Sequence, residues 1–501
     1  MPKLGPCLRA VNHASTKDLP SRATPLRLTT KLCRHMNANI GLPLVPPSIT
    51  PPLDPAFRPA VLANRAFRDG IQSHAVPVQI ALERADASVS RWDLAVAAPG
   101  APLSQANFVY IERVLKFLLW SRGGYRIYFA GPDDLGQQLQ RHYRESKTGR
   151  FDAQIMGDKI YERPFEVVLT APDALPAERE FTAALGRHFE GCRIGFDLGA
   201  SDRKVAAVRD GKPVFSEEVP WDPRSQADPQ WHFDQIMDSL KRAAAHLPRV
   251  DAIGGSSAGV YVNNRVKVAS LFRGVPEALF QKRIKEIFLE IKKAWHDIPV
   301  EVVNDGEVTA LAGAMALNQN GVLGIALGSS EAAGYVNPEG NITSWLNELA
   351  FAPVDYHPNA PLDEWSGDYG CGVQYFSQQC VGRLLPAAGI VLDPTLPLPE
   401  KLVAVQDLMA KGDPRAVRIY QTIGNYLGYG AAHYAEFYQF KHLLLLGRVT
   451  TGQGGALILE YAQAVLRQEF PQLPIHLHLP DEKEKRHGQA MAAASLPLIP
   501  K

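Results

Sequence analysis

Three turns in this chain combine small residues with groups able to handle a phosphate or a proton. The first, Asp197-Leu-Gly199-Ala-Ser201-Asp202, follows a strand-like run from Ile194 and precedes the run Val205 to Val208, which reads as its hairpin partner. Glycine at 199 lets backbone N–H groups approach an anion without a Cβ in the way, and the Ser201 hydroxyl follows. Asp197, at the strand end, could hold a hydrated Mg²⁺ against that anion. In the second turn, Val300 to Asn304 is an apolar strand with Asp305 at its carboxyl end. The third follows the buried strand Gly321 to Gly328 and carries Ser329-Ser330-Glu331. Each has a bland reading: a polar hairpin turn, or an Asn-Asp helix cap. Ligands of α/β folds bind at the carboxyl ends of strands, so the three could line one cleft. Two hydroxyl-bearing small-residue turns and one carboxylate in this order point to a nucleotide-dependent phosphotransferase.

The elements that must position these turns alternate between strand and helix. Asp228 caps a helix over Trp231 to Leu247, Val250 to Ile253 is a strand, and Pro276 to His296 reads as one long helix. A helix over Val308 to Leu317 follows Asp305; Ala416 to Phe440 and Gly455 to Gln468 are helical, with the buried strand His442 to Leu446 between them. Such alternation predicts an α/β protein of mixed sheets covered by helices. At 501 residues the chain has material for two to four domains. Its net charge of +1 implies no polyanion partner, and no apolar run is long enough to span a bilayer. The five cysteines are odd in number, scattered and without a CxxC pair, which argues against a disulfide framework and for a reducing, cytoplasmic setting.

Residues 1–60 read as a disordered tail, with prolines crowding Leu44 to Leu53. Its first 35 residues are basic and acid-poor like a transit peptide, but four prolines interrupt any amphipathic helix, and a translation start at Met36 is the preferred reading. Residues 61–190 read as a separate α/β unit: a hairpin, a helix over Asn107 to Trp120, a strand, and a second helix after Gly131-Pro-Asp-Asp134. In the helix from Asn107, Phe108, Ile111, Leu115 and Leu118 share the apolar face, while Glu112, Arg113 and Lys116 are expected to face water. Phe117 and Trp120 lie off that stripe and need either a second surface, on a neighbouring lobe or another subunit of a homodimer, or a wide core within the unit itself. The unit contains no recognition-helix pattern with clustered Arg or Lys, so no nucleic-acid partner is expected.

From about residue 192 onward the chain resembles the ROK family of sugar kinases and sugar-sensing regulators, within the actin-like ATPase superfamily. Gly195-Phe-Asp-Leu-Gly-Ala-Ser201 looks like the family's first phosphate loop, and Val302-Val-Asn-Asp305 is similar to the segment holding its catalytic aspartate. Ala326-Leu-Gly-Ser-Ser-Glu331 looks like the second phosphate loop; Leu444 to Gly447 and Arg486 to Ala494 resemble the adenosine region and terminal helix. The resemblance implies a two-lobed actin-like (ribonuclease H-like) fold, with lobes at 191–318 and 319–501 and the terminal helix returning to the first lobe. It implies ATP and Mg²⁺ as cofactors and phosphorylation of a sugar-like hydroxyl. Asp305 would be the base, while Asn304, Glu348 and Gly259 would hold the acceptor. Asp197, Gly199, Ser201, Gly328, Ser329, Ser330 and Gly447 would hold the nucleotide, with Mg²⁺ at Asp197.

The departures from the family pattern are specific. Asn347-Glu-Leu-Ala-Phe351 keeps the sugar-site glutamate, Glu348, but has Phe351 where the family has histidine. Of the four positions of the family's zinc site, Phe351, Glu364, Ser366 and Cys371, only the last supplies a thiolate, so no zinc is expected. Ser330 stands where the family prefers glycine, and Arg448 replaces the glycine after Gly447. The alternative reading is a degenerate, non-catalytic ROK-like protein that binds a sugar or regulates without a helix-turn-helix.

Overall fold

The computed structural model describes residues 41–500 apart from 181, 184 and 481. The expectations for residues 1–40, including a start at Met36, and for the side chains of Arg486 and His487 lie outside the described residues.

The N-terminal unit contains α1 (Ala60–Ile71), β1 (Ala75–Glu83), β2 (Val89–Ala97), α2 (Asn107–Arg122), β3 (Arg126–Ala130), α3 (Asp133–Glu145), α4 (Lys147–Gln154), a π-helical turn (Ile155–Tyr161) and β4 (Glu166–Leu169). Its four strands form one sheet in the order β2-β1-β3-β4. A two-residue strand, β5 (Thr182–Ala183), then leads into the first lobe.

That lobe comprises β6 (Cys192–Leu198), β7 (Asp202–Arg209), β8 (Lys212–Pro220), α5 (Pro229–Ala244), β9 (Ala252–Ser257), the hairpin β10 (Val260–Val262) and β11 (Arg265–Val268), α6 (Glu277–Lys282), α7 (Ile287–Ala294), β12 (Val300–Asn304) and α8 (Asp305–Leu317). The second lobe follows as β13 (Val322–Leu327), β14 (Glu331–Val336), β15 (Ile342–Thr343), α9 (Gln378–Ala388), α10 (Leu398–Ala410), α11 (Pro414–Tyr434), β16 (His442–Leu446), α12 (Gln453–Glu469), β17 (His476–His478) and α13 (Glu482–Ala494).

The main sheets of the two lobes repeat one topology. In the first, the order is β8-β7-β6-β9-β12; in the second, β15-β14-β13-β16-β17, with β5 added at the edge. Each begins as an antiparallel meander of three strands, whose first strand is then joined by two parallel ones. A sheet ordered 3-2-1-4-5, with strand 2 antiparallel, occurring twice in one chain, is the duplicated ribonuclease H-like fold of the actin-like ATPases. The central strand β6 is buried at all seven positions, as expected where helices cover both faces.

Helix α8 joins the lobes, and its first turn is pressed onto the second sheet. A Cβ on Gly306 would lie 2.3 Å from the Ala333 carbonyl oxygen, and one on Gly334 would lie 2.0 Å from that of Gly306. Only glycine at both positions allows this backbone contact. Val308, Leu311 and Ala314 of α8 then share a core with Val322, Val336 and Leu444 of the second sheet and with Ala492 and Ala493 of α13.

Three expectations are corrected. The Pro-rich stretch is docked from residue 41 onward rather than disordered. Leu53 and Phe57 are buried in the core of the second lobe. The Ile49 and Leu53 amides donate to Tyr429 Oη at 3.2 Å and Thr422 Oγ1 at 3.3 Å, both on α11. Asp54 accepts from Tyr426 Oη at 2.5 Å and pairs with Arg383 at 3.4 Å. Prolines suit such a strap, because an extended segment lying on a helix needs few of its own N–H groups.

Second, Glu112, Arg113 and Lys116 are buried, not facing water. Arg113 pairs with Glu112 at 2.5 Å and with Asp368 at 2.9 Å, while Lys116 lies 3.0 Å from both Asp152 and Asp368. Mutual pairing offsets the several kcal/mol that desolvating each charge would cost. Third, residues 276–296 are not one helix. Arg283 leaves the helical region (φ −128°), and a 3₁₀ turn, Ile284–Glu286, separates α6 from α7.

Because Phe57 is 1% exposed and packs edge-on against Tyr426 at a centroid distance of 4.7 Å, the strap should carry stability. Phe57→Ala should lower the unfolding free energy by about 3–5 kcal/mol in a urea titration. A loss below about 1 kcal/mol would mean that the strap is not docked in solution.

Candidate active site

The carboxyl edge of the first sheet carries most of the reactive groups. Asp197, near the end of β6, is 5% exposed and accepts a 2.6 Å hydrogen bond from Ser256 Oγ on the adjacent β9. Lys204, paired opposite Asp197 across the β6–β7 ladder, places Nζ 3.7 Å from Asp197 Oδ2 and 3.2 Å from Asp202 Oδ1. Burial pushes the Asp197 carboxyl above its ordinary range, opposed by Ser256 and Lys204.

The glycine turn is more self-satisfied than its sequence suggests. The Gly199 N–H donates to the Asp202 carbonyl at 2.9 Å, the Ser201 hydroxyl donates to Asp202 Oδ2 at 2.9 Å, and the Trp221 indole donates to the Gly199 carbonyl at 2.8 Å. In the second lobe the Gly328 N–H likewise donates to the Ser330 carbonyl at 3.0 Å, and the Gly328 carbonyl accepts from the Gln378 amide at 2.8 Å. The amides of Gly199 and Gly328 are therefore committed to their own turns. Lys204 is the cation at the first turn, and motif reading passed over it. The available signal was its i, i+2 spacing from Asp202, which puts both on one face of β7.

The residues expected on the acceptor side gather about the start of α8. Asn304 caps the helix, accepting from the Gly306 N–H at 2.7 Å, and its amide nitrogen donates to the Gly259 carbonyl at 2.7 Å. Asp305 is the first helical residue, and its Oδ1 accepts from the Gly306 N–H at 3.0 Å. Burial, helped by the charge of nearby Asp197, pushes the Asp305 carboxyl up to about 6. Glu348 is pushed up to about 7 by burial and by Asp305. The structure thus brings together Asp197, Asn304, Asp305, Gly259 and Glu348.

Two further carboxyls lie deeper. Glu307 and Glu331 are both pushed up to about 8, chiefly by burial, with Glu348 adding to each. Glu331 is 3% exposed and lies 3.2 Å from Tyr434 Oη. Neither stood out in the sequence, since each reads as a polar residue near an element boundary. Gly328, Ser329, Ser330 and Gly447 form a second group, at the carboxyl ends of the paired strands β13 and β16. There the backbone of Gly447 (φ +91°) touches that of Leu327: a Cβ would lie 2.4 Å from the Leu327 oxygen.

The four positions that resemble the ROK zinc segment do not fit that metal. Phe351 stacks on Trp120 at 4.1 Å, the Ser366 hydroxyl donates to Asp363 at 2.6 Å, and burial pushes the Cys371 thiol up, away from the thiolate that zinc needs. Among the described residues, no group of three or more His, Cys, Asp or Glu side chains is arranged to hold a metal. Mg²⁺ asks less of the protein, being held by one or two carboxylates with phosphates and water; Asp197 supplies one carboxylate, its Oδ1 taken by Ser256 and its Oδ2 lying 3.7 Å from Lys204 Nζ.

No protein-family model matches the chain, and no curated protein does. Among solved structures, the ROK hexokinase from Thermus thermophilus is similar to it at 18% identity and a TM-score of 0.49, covering 61% of this chain and 98% of that one. A ROK family glucokinase from Streptomyces griseus, in complex with glucose and AMPPNP, is similar at 19% identity and a TM-score of 0.44 over 61% of this chain and 98% of its own. A ROK family transcriptional regulator, a homologue of the E. coli MLC protein, is similar at 18% identity and a TM-score of 0.47, covering 62% and 79% respectively.

The buried carboxyls have a consequence for stability. A carboxyl whose folded pKa is raised from an ordinary 4.5 to about 8 lends stability fully present below pH 4.5, which is lost as pH rises through 8. Glu331→Gln removes that titration, so its melting temperature should fall less between pH 6 and pH 9 than that of the unaltered protein. Parallel curves of melting temperature against pH would show that Glu331 does not titrate in this window.

Proposed function

We propose that this chain is an ATP-dependent kinase of a sugar or sugar-like hydroxyl, resembling ROK carbohydrate kinases. The observation that carries the reading is the placement of Asp305: at a strand's carboxyl end, on the helix joining the two duplicated sheets, close enough to Asp197 and Glu348 for their charges to interact. Phosphoryl transfer requires in-line positioning and charge neutralisation more than covalent help. Asp305 would accept the proton of the attacking hydroxyl as its oxygen bonds to the γ-phosphorus. The bond from the γ-phosphorus to the bridging oxygen then breaks, and ADP leaves. A Mg²⁺ held by Asp197 would neutralise charge on the transferring phosphate. Lys204 would add a cation beside the first turn, and Ser329 and Ser330 would offer hydroxyls to the phosphates, with Ser201 joining them on exchanging its bond to Asp202 for one to phosphate. Glu348 and Asn304 would orient the acceptor, Asn304 being fixed by its bond to the Gly259 carbonyl.

A base with a pKa near 6 is deprotonated at neutral pH yet still able to take a proton. The rate should therefore rise with pH through about 6. The second reading, ligand binding without chemistry, draws on the Gly199 and Gly328 amides being spent within their own turns.

Asp305→Asn separates the two. Measured with a panel of sugars and with both ADP and phosphorylated product followed, it should lower turnover by roughly 10²–10⁴-fold while leaving ATP affinity nearly unchanged. Near-unaltered turnover in this variant would remove Asp305 as the base. Absence of turnover with every acceptor in the unaltered protein would favour the binding reading.

A further inference from the structure

The N-terminal unit grips both elements that carry the acceptor residues, one on each lobe. On the second lobe, the carboxyl end of α2 receives the turn bearing Glu348: the Glu348 N–H donates to the Trp120 carbonyl at 2.9 Å, and the Asn347 N–H to that of Ser121 at 3.0 Å. The Trp120 ring stacks on Phe351 at 4.1 Å, three residues past Glu348, and its indole N–H donates to Asp152 at 2.9 Å. Asp152 also holds Lys116, which with Arg113 holds Asp368 in the segment 364–371. Burial alone would lower the Lys116 pKa, yet Asp152 and Asp368 keep it above its ordinary value, so Lys116 stays charged.

On the first lobe, the unit meets the β10–β11 hairpin that follows Gly259. Glu162, at the end of the π-helical turn, lies 3.1 Å from Lys267 on β11 and 2.5 Å from Lys285 in the turn before α7. Val260, Val262 and Val268 of the hairpin pack against the unit's own core. Gly259, at the root of this hairpin, accepts the bond that orients Asn304.

We infer that the N-terminal unit is the positioning element of the acceptor site, with Trp120 fixing the Glu348 turn and Glu162 fixing the Gly259 hairpin. The inference rests on the kinase reading for its kinetic consequence but not for its structural one. A turn that resembles a metal-stapled segment in the ROK pattern is here held by a helix end, an aromatic stack and a buried ion network. A sub-ångström shift of Glu348 changes acceptor orientation and leaves the phosphate turns untouched. The two substrates should therefore respond differently.

The test uses the full chain in three variants. Trp120→Ala should raise the acceptor KM roughly ten- to a hundredfold with the ATP KM within about twofold, because misplacement acts on orientation. Trp120→Phe, which keeps a ring against Phe351, should stay within about threefold of the unaltered protein. Glu162→Gln is 39% exposed and threatens no core. It should raise the acceptor KM about two- to fivefold, and added salt should reduce the difference. Alongside the kinetics, hydrogen exchange at the Asn347 and Glu348 amides is read in the same proteins. It should accelerate in Trp120→Ala and not in Trp120→Phe, while exchange in α8 stays constant. Should Trp120→Ala not fold, Glu162→Gln with its salt dependence decides. Unchanged acceptor KM in the folded variants, or equal effects on both substrates, overturns the proposal. If no acceptor is turned over, the kinase reading fails and the exchange result alone decides the positioning role: unaccelerated Asn347 and Glu348 amides overturn it.

Discussion

The close approach of Gly306 to the backbone of Ala333 is the constraint on which the rest depends. It holds the first turn of α8 against the second sheet while its preceding strand, β12, is bonded into the first. Asn304 and Asp305 are thereby fixed where the two sheets meet, and neither lobe alone would set their geometry. A Cβ at Gly306 or Gly334 would lie 2.3 or 2.0 Å from the facing carbonyl oxygen and could be accommodated only by separating the two backbones. The same contact explains why carboxyls from both lobes feel one another: Asp197 raises Asp305, which raises Glu348.

The buried ion network plays a comparable part for the N-terminal unit. A helix with thirteen of its sixteen residues buried cannot belong to one core. Phe117 stacks on Phe437 in the second lobe at 4.1 Å, while Ile111, Leu115 and Leu118 stay with the unit's own sheet. Arg113, Lys116, Asp152 and Asp368 fill the space between. Such networks gain little over apolar packing but penalise every arrangement that leaves a charge unpaired. They therefore specify one docking geometry more than they strengthen it.

Much of the fold was legible because its signals are local. The strand-turn-strand around Gly199, the cap at Asp228 and the strand before Asp305 each announce themselves within ten residues. Asp305, Asn304 and Glu348 were expected together through the ROK-like order of their motifs, and Asp305 and Glu348 do lie close enough to influence one another. What stayed hidden depends on distant partners. Arg113 reads as a solvent-facing charge because its partner, Asp368, lies 255 residues away. The strap at 41–58 reads as disordered because prolines erase periodicity, and only the surface of α11 gives it a place. That the Gly199 amide is spent on Asp202 is a matter of turn geometry, which composition does not encode.

The central claim is that the edge shared by the two sheets binds a nucleotide with its terminal phosphate facing Asp305. A crystal structure of the full chain with Mg²⁺, a non-hydrolysable ATP analogue and a sugar that is turned over tests this directly. The account predicts the γ-phosphate between the turns at residues 199–202 and 328–330, with the sugar hydroxyl within hydrogen-bond reach of Asp305 and its ring against Glu348. Nucleotide bound elsewhere, or a sugar hydroxyl remote from Asp305, would contradict it.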